Sequence, residues 1–525
     1  MQLDVLTELS GALSLTQWLL FFLVLLLLLS YIYATNYHGV WEKHGVPGPK
    51  PWPILDHTLD LKKGVDAAFR EWFQKYGDTF GAYGLLPHRA TLVTKDLSLV
   101  KQILVKDFNN FSSRIRPQKS MSSIKDGISS AAGNTWRRHR QVTSPMFTGA
   151  RMKLIMNHVC VSAENLTHLV KQHMEKGELI PVRFVCSKFS AEVIARVGFG
   201  IASHEVSKEE SEFAVFSRNF AKSTRRKELI ATSCYFFPLI DNILRFFKFD
   251  VDFVDETADN YFVTILKSAI EERKEKKSER DGQKARDMLD FFIEAAVENE
   301  DPRLRDTNSK TLSTKEIIGN STSLIIAGVE TVSITLQSIL YCLVLYPEIQ
   351  DKVVAEVFRV VPPGVNLVYE HLQELKYTTQ VINECLRLFP LFTSLYRLTN
   401  ETKKYNGVKI PKGCAVQIPT GLIMKDPKHW VDPEKFDPDR FSPENKANRD
   451  PLAFMPFGYG PRTCLGMRLA LMELKVILVY LLREVRFTLS ERTEPKRGED
   501  IKLEMISRTF VRPVKPVLLE VHTRE

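Results

Sequence analysis

Apolar residues fall into three patterns along the chain. From Trp18 to Tyr33 almost every position is apolar, Ser30 being the clear exception, and the stretch extends back to Leu13 and on to Ala34. About 20 residues at 1.5 Å each span roughly 30 Å, the hydrocarbon core of a bilayer, so a transmembrane helix is expected over about 13–34. A second pattern opens on Ser313-Thr314-Lys315-Glu316, a capping box, and runs apolar to Tyr346 before Pro347 stops it. A helix of over thirty residues has to cross most of a globular core. The third pattern is short and β-prone: Thr91–Thr94, Ala415–Pro419, Val517–Val521, and the runs flanking the Asn406-Gly407 hairpin turn. Helical patterns dominate, so the body is expected to be mainly α with a minor β part.

Between the apolar helix and the body lies Val46-Pro47-Gly48-Pro49-Lys50-Pro51-Trp52-Pro53, where four prolines in seven residues favour a stiff extended segment. The expected division is a membrane anchor over 1–36, a proline-rich hinge over 37–55 and one large domain over 56–525, with no second linker and no repeat. Residues 1–17 contain Asp4 and Glu8 and no Lys or Arg, which suits a retained anchor better than a cleaved signal peptide. Lys43, Lys50, Lys62 and Lys63 follow the helix and place the body in the cytosol by the positive-inside rule.

Composition changes this picture little. At 44% hydrophobic and 26% charged over 525 residues, a collagenous or wholly disordered chain is excluded. The seven cysteines, at 160, 186, 234, 342, 385, 414 and 464, form no CxxC pair and are too sparse for a disulfide scaffold. Reduced thiols fit the cytosolic side, where the sequons at Asn110, Asn165, Asn320 and Asn400 stay unmodified. The net charge of +9 admits nucleic acid, anionic lipid or an acidic protein as partner. The alternating charges of Glu271–Arg286 read as a solvated helix end.

The strongest chemical signal is Phe457-Gly458-Tyr459-Gly460-Pro461-Arg462-Thr463-Cys464-Leu465-Gly466, a tight glycine-rich loop around one cysteine. Glycines let backbone N–H groups approach the sulfur, and Arg462 adds positive charge; both stabilise a thiolate, which can ligate iron axially. The pattern FxxGxRxCxG resembles the haem-binding signature of the cytochrome P450 superfamily. The likeness covers nearly the whole body, and its C-terminal third most resembles the microsomal family-3 enzymes that oxidise drugs and steroids.

The resemblance implies a helical haem domain with small β-sheets behind one transmembrane helix, with haem b as cofactor. It makes Cys464 the axial ligand of the haem iron, with Phe457, Arg462 and Gly466 as cofactor-binding loop positions and Arg462 on a propionate. Ala327-Gly328-Val329-Glu330-Thr331 in the long helix resembles the oxygen-binding motif. Ala327 then lies against the cofactor and Glu330 with Thr331 forms an acid–alcohol pair that relays protons. A glycine there costs about 1 kcal/mol relative to alanine and needs a reason, such as close approach of a flat ligand. Thr331 can bond back to the Ala327 carbonyl. Trp136 and Arg140 share a helix face at i, i+4 and resemble propionate holders, as do Arg114 and Arg397. Glu384 and Arg387, with Arg440 of Pro438-Asp439-Arg440-Phe441, resemble a structural cluster beneath the haem loop. Met424 stands where the family often has His, which puts one hydrogen bond in doubt.

The implied activity is insertion of one oxygen atom of O2 into a lipophilic substrate: a xenobiotic, a steroid or a fatty acid. No Rossmann or flavin fingerprint is present, so NADPH acts indirectly, through an NADPH-dependent cytochrome P450 reductase and possible help from cytochrome b5. The expected location is the endoplasmic reticulum membrane, with membrane lipid as a partner and no nucleic acid. Lys101, Arg137, Arg138, Arg468 and Lys475 are candidate docking charges for an acidic reductase surface. Ser120–Ala132 reads as a flexible substrate loop, and Phe236-Phe237-Pro238-Leu239-Ile240 as a segment able to lie in the membrane surface. Two other functions compete: an electron-independent endoperoxide isomerase of the same fold, which needs no acid–alcohol pair, and a non-catalytic haem-binding membrane protein.

Overall fold

The protein was analysed as a computed structural model, which describes residues 14–85, 89–114, 122–201, 211–220, 254–276, 287–296, 311–493, 505–506, 511–513 and 516–524, together with 230, 244, 246 and 247. The chain divides into two units, Met1–Ile103 with Tyr396–Ile418, and Leu104–Leu395 with Pro419–Glu525.

The first unit begins with helix α1 (Leu15–Thr35), started by a capping box between Ser14 and Gln17. It carries no charged residue, and its apolar side chains are almost entirely exposed. Such a helix is long and apolar enough to cross a membrane. Helix α2 (Val65–Tyr76) follows, packing Phe69, Trp72 and Phe73 around Phe80. Strands β1 (Thr79–Tyr83), β2 (Ala90–Thr94), β3 (Leu395–Leu398) and β6 (Ala415–Ile418) form one sheet in the order β1-β2-β6-β3. β4 (Lys403–Tyr405) and β5 (Val408–Ile410) pair as the expected hairpin. Its turn puts Asn406 at φ 47° and Gly407 at φ 86°, the two left-handed positions that make Asn-Gly favourable.

The proline-rich segment lies against β1. Gly81 N–H donates to the Pro47 carbonyl at 2.8 Å, and a Cβ on Gly48 would fall 2.0 Å from the Gly81 oxygen. Trp41 and Val46 are buried, and Trp41 fills the space that Gly81 leaves.

The second unit is built on helices: α3 (Gly133–Thr143), α4 (Gly149–Glu175), α5 (Val182–Phe199), α6 (Glu256–Glu275), α7 (Thr314–Leu345), α8 (Pro347–Val360), α9 (Lys376–Leu388) and α10 (Met467–Glu484). The 32-residue α7 starts at the expected capping box: Ser313 Oγ accepts from Glu316 N–H, and Glu316 accepts from Ser313 N–H at 2.9 Å. Although α7 is also long and apolar enough to span a bilayer, most of it is buried, so its apolar surface is spent on the core. Strands β7 (Val485–Leu489) and β8 (Leu518–Thr523) pair antiparallel, with Ile180–Pro181 on the other side of β8.

Among the described residues, one buried acid lacks a cation. Glu473, on α10, is 1% exposed, and its Oε2 has no hydrogen-bond partner. Burial pushes its carboxyl well above the usual range and favours the neutral acid in the fold. At low pH both folded and unfolded forms are protonated and nothing is lost. As pH rises past the ordinary carboxylate value, only the unfolded chain ionises, and stability falls. Glu473→Gln should therefore raise the thermal midpoint, by more at pH 8 than at pH 5.5; an equal gain at both values would show that Glu473 is already ionised in the fold.

Candidate haem-thiolate site

The cysteine loop is closed by Cys464 N–H donating to the Phe457 carbonyl at 2.8 Å and by Thr463 N–H donating to Gly460 O at 3.0 Å. Gly460 needs to be glycine on two counts. Its φ is 74°, and a Cβ there would fall 2.1 Å from the Leu104 carbonyl oxygen. Gly466 is different: its φ is −83° and a Cβ would meet only Phe147 at 3.8 Å, so neither backbone nor neighbours require glycine there. It caps α10.

The Cys464 thiol is accessible yet densely surrounded by protein. Burial pushes its pKa up; against this work the Gly466 N–H, the guanidinium groups of Arg140 and Arg114, and the Met467 N–H. The sulfur thus sits at the first turn of α10, whose free N–H groups favour a negative charge. Arg140 donates to Thr463 O at 3.0 Å and Arg114 to Arg462 O at 3.2 Å. Burial lowers the pKa of both arginines, and the Cys464 charge partly restores it. Among the described residues neither has a carboxylate partner. Arg462 donates to Ala131 O at 2.7 Å and stacks over the Trp136 ring at 4.5 Å, while Trp136 packs on Phe108. The donor set of one thiolate, clustered guanidiniums and an indole fits a flat cofactor that carries two carboxylates and an iron. Arg397 lies in the first unit, buried on β3, with Nη1 donating to Tyr396 O at 2.9 Å.

On α7, Ala327 is exposed and Thr331 half-buried within a mostly buried helix, and Thr331 Oγ1 donates to Ala327 O at 2.6 Å. Glu330 precedes Thr331 in the helix. It is 2% exposed and faces Arg183 of α5 at 3.3 Å. Consecutive helix residues point about 100° apart, so Glu330 and Thr331 leave α7 in different directions. Gly328 also has another reason than a flat ligand: a Cβ there would lie 2.3 Å from Ile194 Cδ1, so glycine lets α5 pack against α7.

The third cluster forms fully. Glu384 and Arg387 are 0% exposed and joined by two hydrogen bonds of 2.7 and 2.8 Å. Arg387 also donates to the carbonyls of Met424, Pro433 and Lys435. Glu384 accepts from Asp437 N–H at 2.9 Å and faces Arg440 at 3.4 Å. Burial pushes the Glu384 carboxyl up against the pull of Arg387. The Met424 departure is absorbed, because its backbone carbonyl accepts from Arg387 while its side chain is buried. Arg440 donates to Val431 O and Asp432 O, and Arg449 lies 3.9 Å over Trp430. Burial drops the Arg449 pKa to about 10. Phe441 touches Phe454 at 4.6 Å, and Met455 O accepts from Gly458 N–H, so the cluster reaches the cysteine loop.

Two expectations are revised. Within Ser120–Ala132 the described part is tied down rather than loose. Asp259 of α6 accepts from Ser123 N–H at 2.9 Å and from its hydroxyl at 2.5 Å, Asn320 accepts from Ile128 N–H at 2.8 Å, and Gly127 abuts Gly319. Of the proposed docking charges in this unit, Arg138 is engaged with Glu316 at 2.6 Å and Lys475 with Leu372 O at 2.7 Å; Arg137 and Arg468 are exposed. Burial would raise the Glu316 carboxyl, but hydrogen bonds from His139, Arg138 and Ser313 N–H outweigh it and hold it far below the carboxylate range. Sequence reasoning missed Arg183, Asp259 and Glu316 as an ion-pair partner, since each pairs across more than 100 residues with no local signal, and it missed Arg449, which packs on Trp430. Phe236–Ile240 lies outside the described residues.

The family model described as Cytochrome P450 matches residues 46–521. Cytochrome P450 3A41 of Mus musculus is 33% identical over 526 residues, spanning 99% of this chain and 99% of its own length. Cytochrome P450 3A9 of Rattus norvegicus is 32% identical over 516 residues, spanning 98% and 97%. Cytochrome P450 3A7 of Homo sapiens is 32% identical over 515 residues, spanning 98% of each.

Removing one member of a buried ion cluster leaves the others uncompensated, at a cost of about 3–5 kcal/mol. Glu384→Ala should abolish accumulation of folded protein or sharply lower its thermal midpoint. Lys153→Ala, which breaks an exposed pair with Glu370, should stay within about 0.5 kcal/mol of the parent. Similar midpoints for the two variants would refute the structural role of the cluster.

Proposed function

The chain belongs to the cytochrome P450 family, the haem-thiolate monooxygenases, and on that premise we propose a membrane-anchored enzyme that oxygenates lipophilic small molecules. Xenobiotics, steroids and fatty acids are the substrate classes. The electrons come from an NADPH-dependent reductase, with cytochrome b5 as a possible second donor. α1 anchors the chain in the endoplasmic reticulum membrane, and the lysines that follow it keep the body on the cytosolic side. The observation that carries the reading is the Cys464 loop, where helix N–H groups and two arginines oppose the effect of burial on the thiol.

Haem b is the cofactor of this reading, held by Cys464 on its iron and by Arg114, Arg140, Arg462 and Trp136 at its carboxylates, with Phe457 and Ala327 beside it and Arg397 as a further arginine. Bound there, haem supplies reductive activation of dioxygen and transfer of one oxygen atom to the substrate. The protein contributes charge and protons. Gly466 and Met467 N–H hold the thiolate, and Arg114 and Arg140 balance both it and the carboxylates. The Thr331 hydroxyl, bonded to Ala327 O, keeps a polar group on an apolar helix where a proton is needed. Glu330, paired with the 33% exposed Arg183, is the acid that passes protons toward Thr331.

Cys464→Ser should lose the red-shifted Soret band of the reduced, CO-bound protein, the spectral mark of thiolate ligation. Retention of that band would overturn the ligand assignment. Thr331→Ala should keep NADPH consumption and lose product, since a positioned proton donor is worth about 10²–10⁴-fold. Turnover of an endoperoxide without NADPH or reductase, with no NADPH-dependent oxygenation, would replace this reading with an isomerase.

A further inference from the structure

We propose that Gly319 of α7 is a specificity-determining residue. It lets the backbone of Asp126 and Gly127 lie directly on the helix, fixes the segment Ser122–Ala131 as a close wall of the substrate space, and so limits how bulky a substrate can be. The proposal rests on the haem-thiolate reading of the Cys464 site.

The contact is backbone against backbone. A Cβ on Gly319 would fall 2.7 Å from Asp126 C and Gly127 N and 2.8 Å from Ser123 O, and a Cβ on Gly127 would fall 2.3 Å from Gly319 O. Dihedral angles require neither glycine. Gly127 has φ −91°, and Gly319 lies inside α7, where glycine costs about 1 kcal/mol relative to alanine. The close crossing is what asks for them. Hydrogen bonds hold the segment on either side of it. Asp259 of α6 accepts from Ser123 N–H at 2.9 Å and from its hydroxyl at 2.5 Å, and that hydroxyl lies 2.9 Å from Thr322 Oγ1. Asn320 accepts from Ile128 N–H at 2.8 Å, and Ser129 Oγ lies 3.1 Å from Ser323 Oγ. At the far end Arg462 donates to Ala131 O at 2.7 Å.

This wall stands beside the reacting end of α7. Ser323, Ala327 and Thr331 recur every four residues and share one helix face. The Ser129–Ser323 contact therefore lies about 6 Å along the helix axis before Ala327. Ile128 packs on Phe108, Ala131 and Trp136, so the segment ends against the residues assigned to the cofactor. A side chain gives way to a bulky ligand by changing rotamer; a stretch of main chain bonded to α6, α7 and Arg462 does not. Carbon contacts settle at about 3.5–4.0 Å, so a methyl group at Gly319 has to push the segment back by roughly 1 Å. In an apolar pocket, space for one methylene changes discrimination by about 10–200-fold.

The test uses the full-length holoenzyme in phosphatidylcholine nanodiscs and three nitrogen ligands of haem iron: imidazole, 1-phenylimidazole and 1-(triphenylmethyl)imidazole. Kd is read from the shift of the Soret band. Gly319→Ala should tighten the triphenylmethyl ligand by about tenfold or more, tighten the phenyl ligand less, and leave imidazole within about twofold of the parent. Ser123→Ala removes the hydroxyl contacts to Asp259 and Thr322 and adds no bulk. It should move the ratio of bulky-ligand to imidazole affinity in the same direction, and it carries the test alone if Gly319→Ala does not accumulate as holoenzyme. A ratio that stays the same or falls would overturn the size limit and leave the haem reading intact. Equal tightening of all three ligands would also overturn it, since that reports a change at the iron and not in the space above it. No Soret shift with imidazole in the parent chain would overturn the haem reading and the proposal together.

Discussion

On the function proposed above, a thiolate inside the protein is the constraint around which the second unit is organised. Burial favours the neutral thiol, so Cys464 needs donors and cations within reach, and those must be fixed before any ligand arrives. The N–H groups come free with the start of α10, provided that the loop turns tightly enough to place the sulfur there. Gly460 and the Phe457–Cys464 hydrogen bond meet that condition. The cations are harder to fix, because Arg114 and Arg140 reach the loop from segments more than 300 residues away in sequence.

The means of fixing them is a second layer of buried charge. α3, which carries Trp136 and Arg140, is attached to the start of α7 by Arg138 and His139, both on Glu316. The same carboxylate closes the α7 capping box, so one residue sets the helix start and the position of its neighbour. On the other side of the loop, Glu384 gathers Arg387, Arg440 and the Asp437 N–H, and Arg387 uses its remaining donors on three backbone carbonyls. Buried ion pairs contribute little net stability against apolar substitutes, and they are unforgiving of partial removal. Here the advantage is directional: a guanidinium with five fixed donors can hold a chain segment that has no regular secondary structure of its own.

What could be read from the sequence was what is local. The long helix, its capping box, the Asn-Gly hairpin and the cysteine loop each carry their determinants within a few residues. Motifs name side chains without giving their directions. Glu330 and Thr331 are adjacent in sequence, but helical geometry turns one toward Arg183 and leaves the other beside Ala327. Gly328 carried the right signal, a costly residue in mid-helix, but the partner that needs it is Ile194 on α5, which no spacing rule reveals. The small polar residues of Ser120–Ala132 suggested looseness because their composition is that of a loop. Their hydroxyl and amide groups are instead hydrogen-bonded to Asp259 and Asn320, and only the fold brings those residues near.

The net charge of +9 looks different once the arginines are located. Surface lysines and arginines are interchangeable for docking an acidic partner, but Arg138, Arg387 and Arg440 are committed to internal carboxylates. Arg114 and Arg140 are another class: buried enough for desolvation to lower their pKa, and without a carboxylate among the described residues. Two cations in that condition are costly for the apoprotein and favourable for a ligand that brings two anions. On the proposed function, part of the positive excess thus serves a dianion, while Arg137 and Arg468 are on the surface of this unit. Counted as a whole, the charge suggested a polyanion or a membrane; located residue by residue, it separates into scaffold, cofactor cradle and exposed remainder.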